Sequence, residues 1–198
     1  MRKFALLATL LLAGCGAAVQ PAPVPKPLNT VVFMGDSITR RWDLATYFPG
    51  KTYTDVGIEG NTTAQMLARF ETDVVAQHPD GVIILGGTND LYYAEPVDVP
   101  EANLQAMCEA ARAAGIVPLL STIMPRGGAA ALTNPQIVEV NAWIKAYGQR
   151  AGITVADYYP VMVGPDGEVL PGLTSDGIHP TAAGYAVVTP VAAAALTP

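Results

Sequence analysis

Short apolar runs alternate along the chain with longer segments in which apolar residues recur at helical spacing. The short runs predict five strands, over residues 30–34, 51–56, 81–85, 116–122 and 153–157. The longer segments predict four helices, over residues 62–77, 99–114, 135–150 and 181–196. Strands that alternate with helices form parallel sheets with helices on both faces. The pattern therefore predicts one α/β domain over residues 29–198, built on a five-stranded parallel sheet.

The sequences of two predicted strands also indicate their positions in the sheet. The third, GVIIL at 81–85, is apolar throughout, which indicates burial on both faces of the sheet. The fourth contains Pro118, and proline within a sheet is confined largely to edge strands and bulges. We therefore predict that the fourth strand is an edge strand or contains a bulge.

The first 28 residues have the pattern of a targeting segment. Arg2 and Lys3 precede an apolar run at 4–13, which is shorter than the roughly 20 residues needed to span a bilayer and fits a secretory signal. The sequence LAGC at 12–15 resembles the bacterial lipobox, in which cleavage occurs before a cysteine that carries lipid. This predicts a signal peptide over 1–14 and lipidation of Cys15. The alternative is an ordinary signal peptide that contains a chance cysteine.

The residues after Cys15 predict where the domain is held. Residues 15–28 contain four alternating prolines, which favour an extended, semi-rigid tether. Gly16, rather than an aspartate, follows Cys15, and by analogy with lipoproteins this favours the outer membrane. We therefore expect a lipid-anchored envelope protein on the periplasmic side of the outer membrane, whose N-terminal lipid makes the membrane one of its partners.

Composition excludes several classes of function. Apolar residues make up 51% of the chain and charged residues 14%, which is typical of a globular protein rather than a disordered one. A formal net charge of −6 leaves no basic stripe to neutralise phosphates, so nucleic acid is not an expected partner. Two cysteines and two histidines, without a CxxC or HExxH pattern, predict no zinc site. Cys108 is expected to pack as a small hydrophobe, and the oligomeric state is left open.

Polar, glycine-rich blocks follow the first three predicted strands, and a fourth block precedes the last helix. They are GDSIT at 35–39, GIEGNTT at 57–63, GGTND at 86–90 and DGIHP at 176–180. In parallel sheets, ligands bind beyond the carboxyl ends of the strands. Turn chemistry explains some of the glycines and aspartates, but it does not explain why Ser, Asn, Asp and His gather at one edge.

Residues in these blocks have the chemistry of acyl transfer. Asp176 precedes His179 by three residues and can fix the tautomer of its ring, which leaves the other ring nitrogen as a base for Ser37. The Ser37 N–H, the Gly60 N–H and the Asn89 amide are candidate donors to an oxyanion. Each also has a purely local explanation: His179 as a turn residue, Gly60 in the turn that leads into a helix, and Asn89 in an Asx turn.

All four blocks, in this order and at this spacing, resemble the SGNH hydrolases, also called GDSL esterases and lipases. The resemblance covers residues 29–198 and implies a flavodoxin-like, three-layer α/β/α sandwich. It implies Ser37 as nucleophile, His179 as base, Asp176 as its partner, and Ser37, Gly60 and Asn89 as the oxyanion hole. Glu59 and Asn61 depart from the family pattern, in which a small polar residue and an aspartate are usual. No GxSxG motif surrounds Ser37, so an α/β-hydrolase fold is not supported.

The sequence therefore predicts a serine esterase that acts on small-molecule or glycan esters with small or medium acyl groups, without a metal or organic cofactor. Trp42, Leu91, Tyr92 and Met124 follow strands or the nucleophile turn, and they are candidates either for the acyl pocket or for packing at its rim. The alternative function is that of a catalytically silent envelope lipoprotein that binds glycan or lipid.

Overall fold

The structure is a computed structural model and describes residues 27–197. The predicted signal peptide, Cys15 and the tether up to residue 26 lie outside the described residues. Leu28 leads directly into the first strand at the amino-terminal edge of the sheet, where its side chain contacts the start of the third strand. None of the helices in the described range is long and apolar enough to cross a membrane.

Within residues 27–197, five parallel strands form one sheet. The strands are β1 (Thr30–Gly35), β2 (Thr52–Asp55), β3 (Gly81–Leu85), β4 (Val117–Ser121) and β5 (Thr154–Ala156). Their order across the sheet is β2-β1-β3-β4-β5, which is the doubly wound order of flavodoxin-like folds. The predicted α/β class and five-stranded parallel sheet are therefore confirmed.

Helices cover both faces of this sheet. Those of the described residues are α1 (Ser37–Arg40), α2 (Leu44–Tyr47), α3 (Thr63–Asp73), α4 (Thr88–Tyr92), α5 (Asp98–Ala113), α6 (Asn134–Ala151), α7 (Tyr159–Met162) and α8 (Ala182–Ala195). Two short 3-10 segments, Val75–Gln77 and Gly128–Thr133, join them. The long predicted helix over 62–77 is broken after Asp73, and His78 ends the 3-10 turn in a left-handed conformation with φ of 48°.

The alternation of side chains along the strands divides the core into two layers. On β1, Val32 and Met34 face a cluster built with α3, α5 and α6, whereas Val31 and Phe33 face a cluster built with α1, α2, α7 and α8. Successive side chains of a strand point to opposite faces, so an apolar strand supplies both layers. Cys108 is fully buried in the first cluster, and burial raises the pKa of its thiol to about 12.

Pro118 lies in an interior strand, so the prediction of an edge strand is wrong. β4 pairs with β3 on one side and with β5 on the other. Val117 donates its N–H to Asp80 O on the β3 side, and the nitrogen of the next residue therefore faces β5. The pairing with β5 begins only at Leu119. The missing N–H of Pro118 consequently falls just before the point at which β5 begins, where no partner is required.

The topology places the first three polar blocks at one point of the sheet. β1 lies between β2 and β3. The chain passes from β1 to β2 on one side, and it then crosses over to form β3 on the other side of β1. The crevice at the carboxyl ends of such strands is the ligand-binding position of open α/β sheets.

Candidate active site

Ser37 begins α1 directly after β1, in a turn that only glycine permits at its first position. A Cβ on Gly35 would lie 2.0 Å from Thr39 Oγ1. Asp36 caps the helix by accepting the Ile38 N–H at 2.9 Å. From the other side, Tyr185 Oη of α8 donates to Ile38 O at 2.7 Å. Side-chain hydrogen bonds therefore hold both backbone groups of Ile38, the residue that follows Ser37.

His179 and Asp176 lie beside this turn and complete a chain of hydrogen bonds. Ser37 Oγ lies 2.9 Å from His179 Nε2, and His179 Nδ1 lies 2.7 Å from Asp176 Oδ2. Asp176 Oδ1 accepts the backbone N–H groups of Ile178 and His179 at 3.0 and 2.8 Å. Partial burial would raise the pKa of Asp176, but these bonds from His179 and Ile178 together lower it to about 2. The carboxylate is therefore ionised where it faces the ring.

The loop that carries the histidine is docked on the loop after β4. Gly177 has φ of 83°, and its ideal Cβ would lie 2.4 Å from Gly127 O. Its carbonyl accepts the Gly127 N–H at 2.9 Å. The approach is possible only because position 177 is a glycine, and it sets the position of His179 two residues later.

Asn89 and the loop that contains Gly60 lie next to the Ser37 turn, on the side of Asp36. Asn89, in the first turn of α4, donates through Nδ2 to Asn61 O at 2.9 Å and to Asp36 Oδ2 at 3.3 Å. Gly60 precedes Asn61 with φ of 74° in an exposed loop. The structure thus brings the hydrogen-bonded set of Ser37, His179 and Asp176 together with Asn89, which bonds Asp36 beside Ser37, and with the Gly60 loop.

Asp36 and Arg126 are two buried charged groups next to this assembly that the sequence did not identify. Asp36 is fully buried beside Ser37. Arg126 is 2% exposed, donates to both oxygens of Thr88 and to Thr133 Oγ1, and lies 5.9 Å from the Tyr92 ring centre. The GDS pattern marks Asp36 as a turn residue but says nothing of its burial, and no local pattern marks Arg126.

Burial gives Asp36 a predictable effect on stability. Its pKa rises from the ordinary 3.8 to about 6, chiefly through desolvation, although the Ile38 N–H opposes this. Between about pH 4 and about pH 6 the folded protein therefore holds a proton that the unfolded chain has lost, and raising the pH lowers the free energy of unfolding. The full loss above pH 6 is roughly 3 kcal/mol.

Asp36→Asn lacks this titration. The free energy of unfolding of the variant, relative to the wild type, should therefore rise by about that amount over the same window. Urea unfolding of both proteins from about pH 4 to about pH 7 measures the difference between their free energies of unfolding. Titrating groups that the two proteins share contribute equally to both and cancel in this difference. Parallel pH curves for the two proteins would contradict the assignment.

Three of the four residues considered for an acyl pocket are core residues, which corrects that expectation. Trp42 is 2% exposed and packs in an aromatic cluster, with ring centres 5.7 Å from Phe33 and 5.4 Å from Tyr185. Leu91 and Met124 are buried in the two core layers. An aromatic or apolar residue after a strand can face either the core or the cleft, and the local pattern does not distinguish them. Tyr92 is 62% exposed.

Tyr92 lines an open groove of about 550 Å³ that begins at the histidine loop. The groove runs between the segment after β4 and the segment that precedes the histidine loop, and most of its lining side chains are small. The lining residues are Tyr92, residues 127–130, residues 168–172, Thr174, Asp176 and Gly177. Space for a substrate therefore adjoins Asp176 and the exposed face of Tyr92.

Glu59, which departs from the family pattern, has a partner on the nucleophile side. Its two carboxylate oxygens accept from Arg41 Nε and Nη2 at 2.9 and 2.8 Å. Arg41 directly follows α1, so this exposed ion pair spans from the nucleophile turn to the residue before Gly60.

Comparisons with known proteins identify the family of the chain. The chain matches the GDSL-like Lipase/Acylhydrolase family over residues 33–187. It is 31% identical to Esterase TesA of Pseudomonas aeruginosa over 194 residues, which cover 88% of this chain and 90% of that protein. It is 32% identical over 149 residues to the uncharacterized lipoprotein YqeF of Bacillus subtilis, a match that covers 63% of this chain but only 58% of YqeF.

A solved structure shares both the fold and part of the sequence. The GDSL-like lipase from Bacteroides thetaiotaomicron superposes with a TM-score of 0.79 and is 33% identical, over 85% of this chain and 87% of that chain. The family match spans more than half of the chain, and the five-stranded parallel sheet is of the α/β class that the resemblance implied. The chain belongs to the GDSL-like lipase/acylhydrolase family.

Proposed function

We propose that the protein is a serine esterase in which Ser37 is the nucleophile, His179 the base and Asp176 its partner. The family is one of acylhydrolases, and it supports hydrolysis of ester bonds as the activity. The observation that carries the finer assignment is the chain of hydrogen bonds from Ser37 Oγ through His179 to Asp176, with distances of 2.9 and 2.7 Å.

This geometry suits the proton transfers of acyl transfer. With hydrogen on Nδ1 held by Asp176, His179 presents Nε2 as an acceptor for the Ser37 proton while Oγ attacks the ester carbonyl. The imidazolium then returns the proton to the departing alcohol. Water next attacks the acyl-enzyme, again losing its proton to Nε2, and the carboxylic acid leaves as Ser37 regains its proton.

The oxyanion of the tetrahedral intermediate would be held by the N–H groups of Ser37 and Gly60 and by the amide of Asn89. Both hydrogens of that amide have protein acceptors in the resting arrangement, and the bond to Asp36 Oδ2, at 3.3 Å, is the longer one. It is the bond that an oxyanion would replace, because 3.3 Å is longer than the roughly 2.7–3.2 Å of a normal N–H···O hydrogen bond.

The substrate we propose is a small-molecule or glycan ester with a small or medium acyl group. The groove beside Asp176, at about 550 Å³, lies within the usual range of small-molecule sites, roughly 300–1,000 Å³. The groove reaches the proposed triad at Asp176 rather than at Ser37, and it is open, which suits a small substrate better than a long chain that must be enclosed.

The test is a series of p-nitrophenyl esters of increasing acyl length, assayed beside acetylated sugars and an acyl thioester. We expect kcat/KM to be highest for short acyl groups and to depend on Ser37. Hydrolysis of long-chain esters alone would contradict the proposed substrate. A protein that binds glycan or lipid but hydrolyses none of the esters would be the silent lipoprotein instead.

A second part of the proposal is attachment to the bacterial envelope through lipid on Cys15. The lipobox pattern at 12–15 supports it, and so does the similarity to YqeF, which is named as a lipoprotein. By analogy with lipoproteins, Gly16 after the lipidated cysteine favours the outer membrane, and we propose that the protein lies on its periplasmic face.

Cys15→Ser should abolish lipidation and leave an uncleaved precursor, because the lipid is attached to that sulfur before cleavage. Stable anchoring requires two or more acyl chains, so the variant should also leave the lipid-anchored fraction. Mass spectrometry of the N-terminus of wild type and variant measures both effects. An unmodified wild-type N-terminus at another residue would refute the anchor and leave the esterase proposal intact.

A further inference from the structure

Arg69 of α3 donates hydrogen bonds in several directions beneath the loops of the candidate site. Its Nε donates to Asn61 Oδ1 at 2.8 Å, and its Nη2 donates to Gly35 O at 2.9 Å. Its Nη1 donates to Val56 O at 2.7 Å and to Asp73 Oδ2 at 2.6 Å. The side chain is 16% exposed. All three nitrogens of the guanidinium are therefore used.

The acceptors belong to the segments that carry the proposed oxyanion donors. Gly35 is the last residue of β1, two residues before Ser37, and Val56 directly follows β2. Asn61 follows Gly60, and its carbonyl oxygen accepts the Asn89 amide at 2.9 Å. One guanidinium thus bonds the ends of two strands and the Gly60 loop, and through Asn61 it is linked to Asn89.

We propose that Arg69 is a positioning residue for the oxyanion hole, which holds the Gly60 loop and the Asn89 amide at a fixed distance from the Ser37 turn. This rests on the proposed esterase function. It also explains why an asparagine at position 61 is tolerated where the family usually has an aspartate, because the amide oxygen Oδ1 still accepts from Nε.

The shape of the guanidinium, and not its charge alone, is what this role requires. Arginine presents five N–H donors in a rigid planar fork, whereas lysine presents a single compact ammonium group on a flexible stem. A lysine at position 69 would keep its attraction to Asp73, four residues along α3, but it could not bond Asn61, Val56 and Gly35 together.

Arg69→Lys and Arg69→Gln are therefore the test, with Arg112→Lys and Arg112→Gln as matched controls. Arg112 also donates to backbone carbonyls, those of Ala151 and Gly152. It lies near the amino-terminal ends of β4 and β5, at the edge opposite the candidate site. The Arg69 and the Arg112 variants all lose hydrogen bonds to carbonyl groups and some stability. Only Arg69, however, bonds the segments that carry the proposed oxyanion donors.

We expect kcat for a short acyl ester to fall roughly 10- to 100-fold in both Arg69 variants while KM changes little, since a small misplacement near the reacting atoms costs up to about 100-fold. A boronic acid that forms a tetrahedral adduct with Ser37 should bind more weakly by a similar factor. The Arg112 variants should keep wild-type kcat and boronate affinity at a comparable loss of thermal stability. Equal kcat in Arg69 and Arg112 variants, or a rise in KM alone, would overturn the proposal.

Two milder variants decide the matter if the Arg69 variants do not fold. Asn61→Ala removes only the acceptor of Nε and should lower kcat without changing KM, whereas Asn61→Asp keeps an acceptor and should retain activity. Unchanged kcat in Asn61→Ala would overturn the proposal. Activity that survives Ser37→Ala would refute the esterase assignment itself, whereas activity that requires Ser37 but not Arg69 would refute this inference alone.

Discussion

Ser37→Ala is expected to lower kcat for ester hydrolysis by roughly 10⁴–10⁶-fold while the protein stays folded. The variant loses the oxygen that lies 2.9 Å from His179 Nε2, and with it the only atom that the proposed mechanism uses to form the acyl-enzyme. His179→Ala should have an effect of similar size, because members of such a set act as a unit. Steady-state kinetics with a p-nitrophenyl ester, together with circular dichroism, measures both activity and folding.

Ser175→Ala is the matched control for this loss. Ser175 lies one residue before Asp176, and its Oγ is 3.4 Å from His179 O, so it is a nearby serine outside the proposed triad. We expect this variant to hydrolyse esters at nearly the wild-type rate. Purified Ser37→Ala that kept more than about a tenth of wild-type turnover would exclude Ser37 as the nucleophile.

Asn89→Ala is expected to lower kcat by roughly 10²–10³-fold with little change in KM, the loss typical of removing one oxyanion donor. The amide would act on charge that exists only in the transition state, so substrate binding should be almost unaffected. The measurement is the separate determination of kcat and KM for a short acyl ester.

Asn103→Ala is a suitable comparison, because it also removes a side-chain amide donor, one that bonds Thr63 Oγ1 at 3.0 Å and is not a proposed oxyanion donor. It should lower stability slightly and leave kcat unchanged. A large rise in KM for Asn89→Ala, with kcat intact, would instead make Asn89 a residue that binds the ground state.

The sheet could be predicted from the sequence because its strands carry their own signal. The sequence predicts β3 over the residues it occupies, since an apolar run there is bounded by residues that suit turns. The prediction of an edge position for β4 is wrong for a different reason. A proline shows only that one backbone N–H is missing, and the strand pairing that determines whether this matters involves β5, more than 30 residues away.

The residues of the proposed triad could be identified because each lies in a short polar block next to a strand or helix. The arginines that hydrogen-bond to the segments around the site could not. Arg69 bonds Gly35 O, 34 residues away, and Arg126 bonds Thr88 O, 38 residues away. Every residue has a carbonyl group, so a partner of this kind leaves no mark on the sequence.

The position of Leu28 has a practical consequence for using the protein on a surface. Leu28 lies at the amino-terminal edge of the sheet, before the six residues of β1, and Ser37 follows the far end of that strand. At about 3.3 Å per residue, the two ends of β1 are roughly 17 Å apart. A resin, electrode or reporter domain coupled ahead of Leu28 would therefore attach at the far edge of the molecule, and the immobilised catalyst would present its groove to the solution.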